Sequence, residues 1–252
     1  MPEAAESVRI HYLGHATVLA ELDGVRVLTD PVLRRRVAHL RRKVPPVVGE
    51  LGSLDAVLVS HAHYDHLDFP SLARLDRATT VVVPRGLGQT LSKRGFEHVV
   101  ELDEDGEVAI GALTVRATHA DHSGSRPPLV RHASALGYAL SGSRSIFFAG
   151  DTDLFPEMEG LVPDLDVALI PVWGWGASLG PGHLDPKRAA EAVALLKPRI
   201  AIPIHWGTFV PLHRSKRATF LRAPVEEFVR AARNKAPDVD VRVLNPGEAF
   251  DE

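Results

Sequence analysis

Four side chains that can bind metal ions lie within six residues of the sequence, in the segment His61-Ala62-His63-Tyr64-Asp65-His66. Alternate side chains of an extended segment point the same way, so His61 and His63 can approach one point. Asp65 and His66 follow a predicted turn and can reach a second point nearby. Such groups are costly to bury unpaired. The spacing therefore predicts a loop that supplies ligands to two adjacent metal ions.

The composition limits which metals and partners fit this loop. The chain has 252 residues, 45% of them hydrophobic, a net charge of −3 and no cysteine. Without thiolates a metal must be held by nitrogen and oxygen, which favours Zn, with Mn or Fe as alternatives. The small net charge gives no general attraction to nucleic acid. The chain shows no secretory signal and no apolar stretch of membrane-spanning length, so we expect a cytoplasmic protein with no membrane span.

Short strands and a few helices must position this loop, and we expect one compact domain over residues 1–252. A hairpin is predicted at Asp23-Gly24, and Pro186 follows the helix cap Asp185. The helices are predicted near Pro70–Leu75 and at Gly86–Arg94, Pro186–Leu196 and Pro224–Lys235. The strands are predicted at Val8–Tyr12, Ala16–Leu22, Val25–Thr29, the apolar run 55–60, Thr80–Val83, Leu113–Thr118, Ser134–Leu140, Ser145–Ala149, Val167–Pro171 and Ile200–Ile204.

Further polar residues follow other predicted strands, where ligand sites of α/β sheets gather. They are Asp30, His119, Asp151 and His205. One metal ion could take His61, His63 and His119, and a second could take Asp65, His66 and His205, with Asp151 bridging the two ions. Each ion would then keep an open position for water, as in catalytic sites. Two ions about 3.5–4 Å apart can hold a hydroxide between them at neutral pH.

This constellation resembles the metallo-β-lactamase superfamily of hydrolases, of which His-x-His-x-Asp-His is the signature. The segments Leu13–Val18, Thr29-Asp30-Pro31, Gly150-Asp151-Thr152 and 205–209 are similar to the branch that includes L-ascorbate-6-phosphate lactonase and N-acyl-phosphatidylethanolamine-hydrolysing phospholipase D. The resemblance implies an α/β fold, a four-layer αβ/βα sandwich, and the metal ligands assigned above. Members that degrade β-lactams often use a cysteine ligand and lack the bridging aspartate, so penicillin hydrolysis is not expected.

Several neighbouring residues have two interpretations each. His122 competes with His119 as the third ligand, because the branch has its histidine shortly before a Ser-Gly-Arg stretch; His119 directly ends the predicted strand and is preferred. The resemblance also places His183 at the border of the active site, where it would contact substrate or transfer a proton. Asp30 and His15 are expected to orient ligand imidazoles.

Two segments near the predicted site have a structural and a functional interpretation of similar weight. Six basic residues between Arg34 and Lys43 form a solvated loop or attract a phosphate or another anion. The aromatic segment Trp173–Gly176 packs in the interior or forms an apolar wall for substrate.

The expected function is a dinuclear metal-dependent hydrolase that cleaves an ester-type bond with a metal-bound hydroxide. Phosphodiesterase and lactonase activities are the leading classes, on a small-molecule or lipid-like anionic substrate. Asp65 and His183 are the candidate catalytic residues, Asp65 steering or accepting a proton and His183 protonating the leaving group. A flavodiiron oxidoreductase is a weak rival, because those relatives carry His-x-Glu-x-Asp and an additional flavin domain. A non-catalytic metal-binding regulatory module is the remaining alternative.

Overall fold

The computed structural model describes residues 7–45, 51–128, 133–174, 180–212 and 221–252. The strands in chain order are β1 (Val8–Gly14), β2 (Thr17–Leu22), β3 (Val25–Thr29), β4 (Arg36–Val37), β5 (Leu40–Arg42), β6 (Ala56–Leu58), β7 (Thr80–Pro84), β8 (Val99–Leu102), β9 (Glu107–Ile110), β10 (Leu113–Ser123), β11 (Ser134–Ser141), β12 (Ser145–Phe148), β13 (Val167–Pro171), β14 (Ile200–Ile204), β15 (Phe209–Pro211), β16 (Asp240–Val241) and β17 (Ala249–Asp251). The helices are α1 (Phe69–Leu72), α2 (Gly88–Ser92), α3 (Pro186–Leu196), α4 (Ala223–Lys235) and a 3-10 helix at Pro156–Met158. None of the described helices is long and apolar enough to cross a membrane.

Two mixed sheets of seven strands each form the centre of the molecule. The first has the order β17-β1-β2-β3-β6-β7-β8 and the second the order β16-β14-β13-β12-β11-β10-β9. Each sheet is antiparallel on one side and parallel on the other: β3, β6, β7 and β8 run parallel in the first, and β12, β13, β14 and β16 in the second. The carboxyl ends of the parallel strands can therefore present polar loops at one edge of each sheet.

The first sheet is covered on both faces. Along β6, Ala56 and Leu58 belong to the cluster between the sheets, whereas Val57 packs on the opposite face with Leu72 of α1 and Leu91 of α2. This alternation follows from the two-residue period of a strand. The helices α3 and α4 pack against each other, and α3 lies against β13 of the second sheet. The predicted αβ/βα sandwich is thus confirmed.

Local sequence explains the two best-defined element boundaries. Asp23 and Gly24 both have positive φ, 51° and 77°, as expected for the tight turn predicted between β2 and β3. Asp185 accepts hydrogen bonds from the backbone N–H groups of Lys187 and Arg188 at 2.8 and 3.0 Å, and Pro186 fills the first position of α3.

Other predicted elements differ in extent from the observed ones. The helices α1 and α2 are shorter than predicted, at four and five residues. The largest difference is β10, which does not end at Thr118 but continues to Ser123. Its pairing with β11 is regular up to His119 and changes register between His119 and Ser123. A bulge of this kind redirects side chains relative to a regular strand.

A small third sheet was missed by the sequence analysis. It joins β4, β5 and β15 in the order β15-β5-β4 and contains three of the six basic residues between Arg34 and Lys43, namely Arg36, Arg41 and Arg42. Its strands have only two or three residues, too few to show a period. Val37, Leu40, Phe209 and Val32 form the small core beneath it.

Candidate metal centre

Loops from both large sheets meet at one edge and bring distant parts of the chain together. The loop 59–66 follows β6, Asp151 follows β12 and His205 follows β14. His122 lies near the end of β10, where its pairing with β11 changes register. The sheets are joined here by hydrogen bonds from Leu136 N–H to the Ser60 carbonyl, 2.9 Å, and from the Tyr138 hydroxyl to the Val59 carbonyl, 2.9 Å. The loop 59–66 is therefore held by the opposite sheet as well as by its own strand.

The first ligand group consists of His61, His63 and His122. One nitrogen of each lies within 4.8 Å of the others. His63 Nδ1 and His122 Nε2 are 3.2 Å apart, and His61 Nε2 is buried without a hydrogen-bond partner. Three imidazole nitrogens thus converge on one point.

The second ligand group consists of Asp65, His66 and His205, joined by His15. His66 Nε2 and His205 Nε2 are 3.3 Å apart, and both rings are buried. His15 Nε2 lies 3.2 Å from Asp65 Oδ2, and its ring lies 3.8 Å from that of His205. The group offers two nitrogens and a carboxylate, as expected for a metal site with an open position.

Asp151 lies between the two groups. Its Oδ2 is 3.2 Å from His66 Nε2, and its Oδ1 is 3.2 Å from His205 Nε2. The same carboxylate lies within 4.8 Å of ligand atoms of His122 and His183. One buried carboxylate therefore reaches both sets of ligands, which is the geometry that a bridging ligand requires.

Outer hydrogen bonds fix which nitrogen of each ring points inward. His66 Nδ1 lies 2.6 Å from Asp30 Oδ2, His122 Nδ1 lies 2.7 Å from the Gly182 carbonyl, and His205 Nδ1 contacts the Trp173 carbonyl. These acceptors require the N–H on Nδ1, so Nε2 is the nitrogen that can bind a metal ion, as in metal-binding histidines with carboxylate or carbonyl partners. Ser60, which the sequence analysis did not select, donates to Asp30 through its backbone N–H and its hydroxyl, at 2.7 and 2.6 Å.

The chemistry of the donor set fits divalent metal ions. Burial lowers the pKa values of His61, His63 and His205, and it lowers that of His122 to about 4, so these rings are neutral at neutral pH. Inward-facing lone pairs of neutral rings repel one another unless they share a cation. The orphaned Nε2 of His61 adds to this, because a buried polar atom without a partner is costly. The nitrogens and carboxylates present are ligands that Zn, Mn and Fe accept.

The pKa values of Asp151 and His66, which lie 3.2 Å apart, are shifted in opposite directions. Although burial raises the pKa of Asp151, the charges of His205 and His66 hold it well below its usual range. Although burial lowers the pKa of His66, the charges of Asp151 and Asp30 raise it well above its usual value. In the metal-free protein the second group therefore holds a proton on His66 that a metal ion must displace.

The prediction for His119 is corrected by the structure. Its side chain is 43% exposed, its Nδ1 pairs with Glu104 Oε2 at 3.0 Å, and its ring packs edge-on against Phe155. It belongs to none of the metal-ligand groups found among the described residues, and His122 takes its place. The physical reason is the extension of β10 with its change of register, which places the later histidine at the sheet edge.

The remaining candidates lie around the two groups. His183 Nε2 is 3.6 Å from Asp151 Oδ2 and its side chain is 26% exposed, so it lies on the open side of the site. Trp173 is half-buried and contributes its carbonyl to His205, while Trp175 and Gly176 lie outside the described residues.

The basic run is divided by the third sheet. Arg34 pairs with Asp68 at the start of α1 through contacts of 2.6 and 2.8 Å, and Arg42 is buried. Arg35, Arg36 and Lys43 are exposed. The run is therefore neither a uniformly solvated loop nor a single basic surface.

The fold and the ligand groups define the class of protein, a metallo-β-lactamase fold with a candidate metal centre at the shared sheet edge. The family model described as the Beta-lactamase superfamily domain matches residues 25–206. A UPF0173 metal-dependent hydrolase of Methanopyrus kandleri is 34% identical, over 97% of this chain and 100% of its own. The chain belongs to the metallo-β-lactamase superfamily and, within it, to the UPF0173 metal-dependent hydrolase family.

Solved structures share this fold across different reactions. A metallo hydrolase from Ignicoccus hospitalis superposes with a TM-score of 0.74 at 25% identity, covering 98% of both chains. A diiron β-hydroxylase from Streptomyces venezuelae superposes with a TM-score of 0.71 at 23% identity, over 99% of this chain and 55% of its own. The second likeness concerns the fold alone. The reaction must therefore be argued from the site of this chain.

Proposed function

We propose that this chain is a hydrolase that uses two divalent metal ions, zinc first and Mn or Fe as alternatives, to cleave an ester-type bond. The observation that carries the proposal is Asp151, a buried carboxylate in reach of two separate nitrogen-rich ligand groups. His61, His63 and His122 would hold one ion, and Asp65, His66 and His205 the other. A single ion would leave one group of inward-facing nitrogens uncompensated.

Two divalent ions bound by these residues would supply an activated water and polarise the scissile bond. The residues of the chain add orientation and proton transfer. Asp65 is 15% exposed on its side chain and its Oδ2 lies 3.2 Å from His15 Nε2, and its carboxylate would accept a proton from the attacking water. His183 faces the open side, where a leaving group would depart, and its Nε2 can give that group a proton. Asp65 and His183 are accordingly the proposed catalytic residues.

Phosphodiesters and lactones are the proposed substrate classes. Support comes from the resemblance of the segments around Asp30, Asp151 and His205 to the lactonase and phospholipase D branch. The basic side chains Arg35, Arg36 and Lys43 are exposed in the segment joined to the His205 loop through β15, and they suit an anionic small molecule or lipid-like substrate.

Metal content and hydrolysis together test the proposal. The purified protein is expected to carry about two metal ions per chain, and to hydrolyse bis(p-nitrophenyl) phosphate or a member of a lactone panel. Chelation should abolish the activity and added Zn or Mn should restore it. Two bound ions without hydrolysis of any ester would favour the non-catalytic regulatory module. Absence of metal after reconstitution would contradict the ligand assignment.

The ligand assignment has a matched pair of variants three residues apart on β10. His122→Ala removes a proposed ligand and should lower the metal content to about one ion per chain and the activity by at least about a hundredfold. His119→Ala removes an exposed histidine of the same strand and should leave both unchanged. The reverse result would restore His119 as the ligand.

A further inference from the structure

Arg42 is a buried cation without a carboxylate partner among the described residues. Its side chain has 7% of its surface exposed. Nη2 donates to the Val32 carbonyl at 2.6 Å and Nη1 to the Leu13 carbonyl at 3.1 Å, and the guanidinium lies 4.9 Å from the centre of the Phe209 ring. Its Nε has no hydrogen-bond partner. Burial lowers the pKa of this guanidinium to about 10, so the charge persists at neutral pH. A buried unpaired charge is expensive to keep.

The two carbonyls that Arg42 holds lie beside the turns that orient the second ligand group. Leu13 comes two residues before His15, whose Nε2 contacts Asp65 Oδ2 at 3.2 Å. Val32 comes two residues after Asp30, whose Oδ2 holds His66 Nδ1 at 2.6 Å. One guanidinium thus connects the supports of two proposed ligands.

Both turns have backbone conformations that need support. His15 has φ 61° and Asp30 has φ 31°, values that residues with a side chain rarely adopt. Gly14 has φ 109°, and a Cβ there would lie 2.7 Å from Thr208 Oγ1 and 3.0 Å from Arg42 Nη1. Such conformations persist when the surroundings fix them. The planar fork of arginine is suited to fixing two carbonyls at once.

We propose that Arg42 is a positioning residue for the metal ion held by Asp65, His66 and His205, acting through the turns at His15 and Asp30. This inference rests on the proposed two-ion function. Within the described part of the chain, the first group (His61, His63 and His122) is linked to these turns only through Ser60, whose hydroxyl lies 2.9 Å from His61 Nδ1 and 2.6 Å from Asp30 Oδ2. The second group has the more direct contacts to both turns, so the effect of Arg42 should be larger on the second ion than on the first.

Removal of Arg42 should change the affinity for the second metal ion in opposite directions, depending on whether Arg42 acts by positioning or by its charge. Arg42 is positive, so its removal would strengthen the binding of a nearby cation if electrostatics alone mattered. Loss of positioning has the opposite effect. For Arg42→Met, which keeps an unbranched apolar side chain but lacks the donors, we expect the second ion to bind at least about tenfold more weakly. Arg42→Lys keeps the charge without the fork, and it should also weaken that ion.

The experiment is a Zn²⁺ titration of the metal-free full chain, followed residue by residue through the imidazole ¹⁵N NMR signals. Arg41→Met is the matched control, because Arg41 is adjacent in β5 and is not among the fully buried residues. In Arg42→Met, the signals of His66 and His205 should titrate at higher Zn²⁺ than in the wild type. The Zn²⁺ concentration at which the signals of His61, His63 and His122 titrate should change by less. If Arg42→Met does not fold, Arg42→Lys provides the same comparison.

The outcomes separate the two proposals. Two ions in the wild type with an unchanged, tighter or equally weakened pair of sites in both Arg42 variants would overturn the positioning role and leave the dinuclear site intact. A wild-type protein that binds fewer than two ions would overturn the dinuclear proposal, and this inference with it. Weakening of the second ion by Arg41→Met to the same degree would also overturn the role of Arg42.

Discussion

The carboxylate of Asp30 accepts from three donors in a fully buried position, and its replacement by asparagine changes the two contacts of Oδ2 in a defined way. Oδ1 accepts from Ser60 N–H at 2.7 Å, while Oδ2 accepts from the Ser60 hydroxyl and from His66 Nδ1, both at 2.6 Å. An asparagine keeps an oxygen for the Ser60 backbone but presents an NH₂ group toward His66 and the Ser60 hydroxyl. The hydroxyl can rotate and accept from this group. His66 must then accept with Nδ1 and carry its proton on Nε2, the nitrogen proposed to bind metal.

The size of the effect follows from the lost contact. A hydrogen bond to a charged group contributes about 1.5–3 kcal/mol. Loss of an outer partner of a metal-binding histidine weakens the metal by about 10- to 100-fold, which corresponds to about 1.4–2.8 kcal/mol. Asp30→Ala is a poorer test, because it would leave all three donors buried and unpaired at roughly 1–3 kcal/mol each.

The assay is competition for Zn²⁺ with a chelator of known affinity, with the His66 tautomer measured by imidazole ¹⁵N NMR. Asp166→Asn is the matched control: Asp166 also accepts from a backbone N–H, that of Ser145 at 2.9 Å, and from Arg199 at 3.0 Å. It lies before β13, at the sheet end opposite the metal centre. Asp30→Asn with a Zn²⁺ affinity within about twofold of the wild type would refute the reasoning, as would equal weakening by the control.

Three further predictions concern His66, Asp166 and Asp185. Because the pKa of His66 is raised by Asp151 and Asp30, Zn²⁺ binding at about pH 7 should release about one proton from His66, seen as a buffer-dependent calorimetric enthalpy; independence of the buffer would contradict this. Although burial raises the pKa of Asp166, its hydrogen bonds lower it, so its contribution to stability is present above the unfolded-state pKa and lost as the pH falls. In urea unfolding of the metal-free protein, the difference in free energy of unfolding between wild type and Asp166→Asn should be smaller at about pH 3 than at about pH 7. An equal difference at both pH values would count against the contribution of the Asp166 carboxylate and its pair with Arg199. Asp185→Ala should lower the free energy of unfolding by about 0.5–2 kcal/mol, and Asp185→Asn by less, because asparagine also caps helices; equal losses would exclude a capping role.

Local patterns were sufficient to predict most of the architecture. The strands Val167–Pro171 and Ile200–Ile204 begin and end where their apolar runs predict, because both are buried along their whole length. The turn at Asp23-Gly24 and the cap at Asp185 depend only on neighbouring residues, which is why they were predictable.

The choice between His119 and His122 depended on a contact that lies elsewhere in the chain. Thr118 is followed by a histidine, which is typical of a strand end with a ligand. The strand nevertheless continues, because β11 pairs with it as far as Ser134 opposite Ser123. The register change between these pairs cannot be deduced from the residues of β10. The resemblance held the better signal, since the branch places its histidine shortly before Ser-Gly-Arg and His122 is nearer that stretch.

Arg42 shows the same limit for charged residues. In the sequence it is one of the six basic residues between Arg34 and Lys43, and no neighbouring residue distinguishes it from the other five. It becomes buried because β5 pairs with β15, which places Phe209 opposite Arg42. That pairing joins segments far apart in the chain. Charge and hydropathy are properties of a residue, whereas burial here is decided by a long-range contact.

Three residues of the candidate metal centre have a backbone conformation that favours glycine, yet none of them is a glycine. His15, Asp30 and His205 all have positive φ, at 61°, 31° and 64°. Glycine is the residue that tolerates this region without cost. A glycine at any of these positions would remove a group that contacts the site: the imidazole beside Asp65, the carboxylate on His66, or a proposed ligand. Side chains are retained at a conformational cost of about 1–3 kcal/mol each. Hydrogen bonds such as those of Arg42 and Ser60 must offset this cost. The residues that hold these turns are therefore as necessary to the site as the proposed ligands.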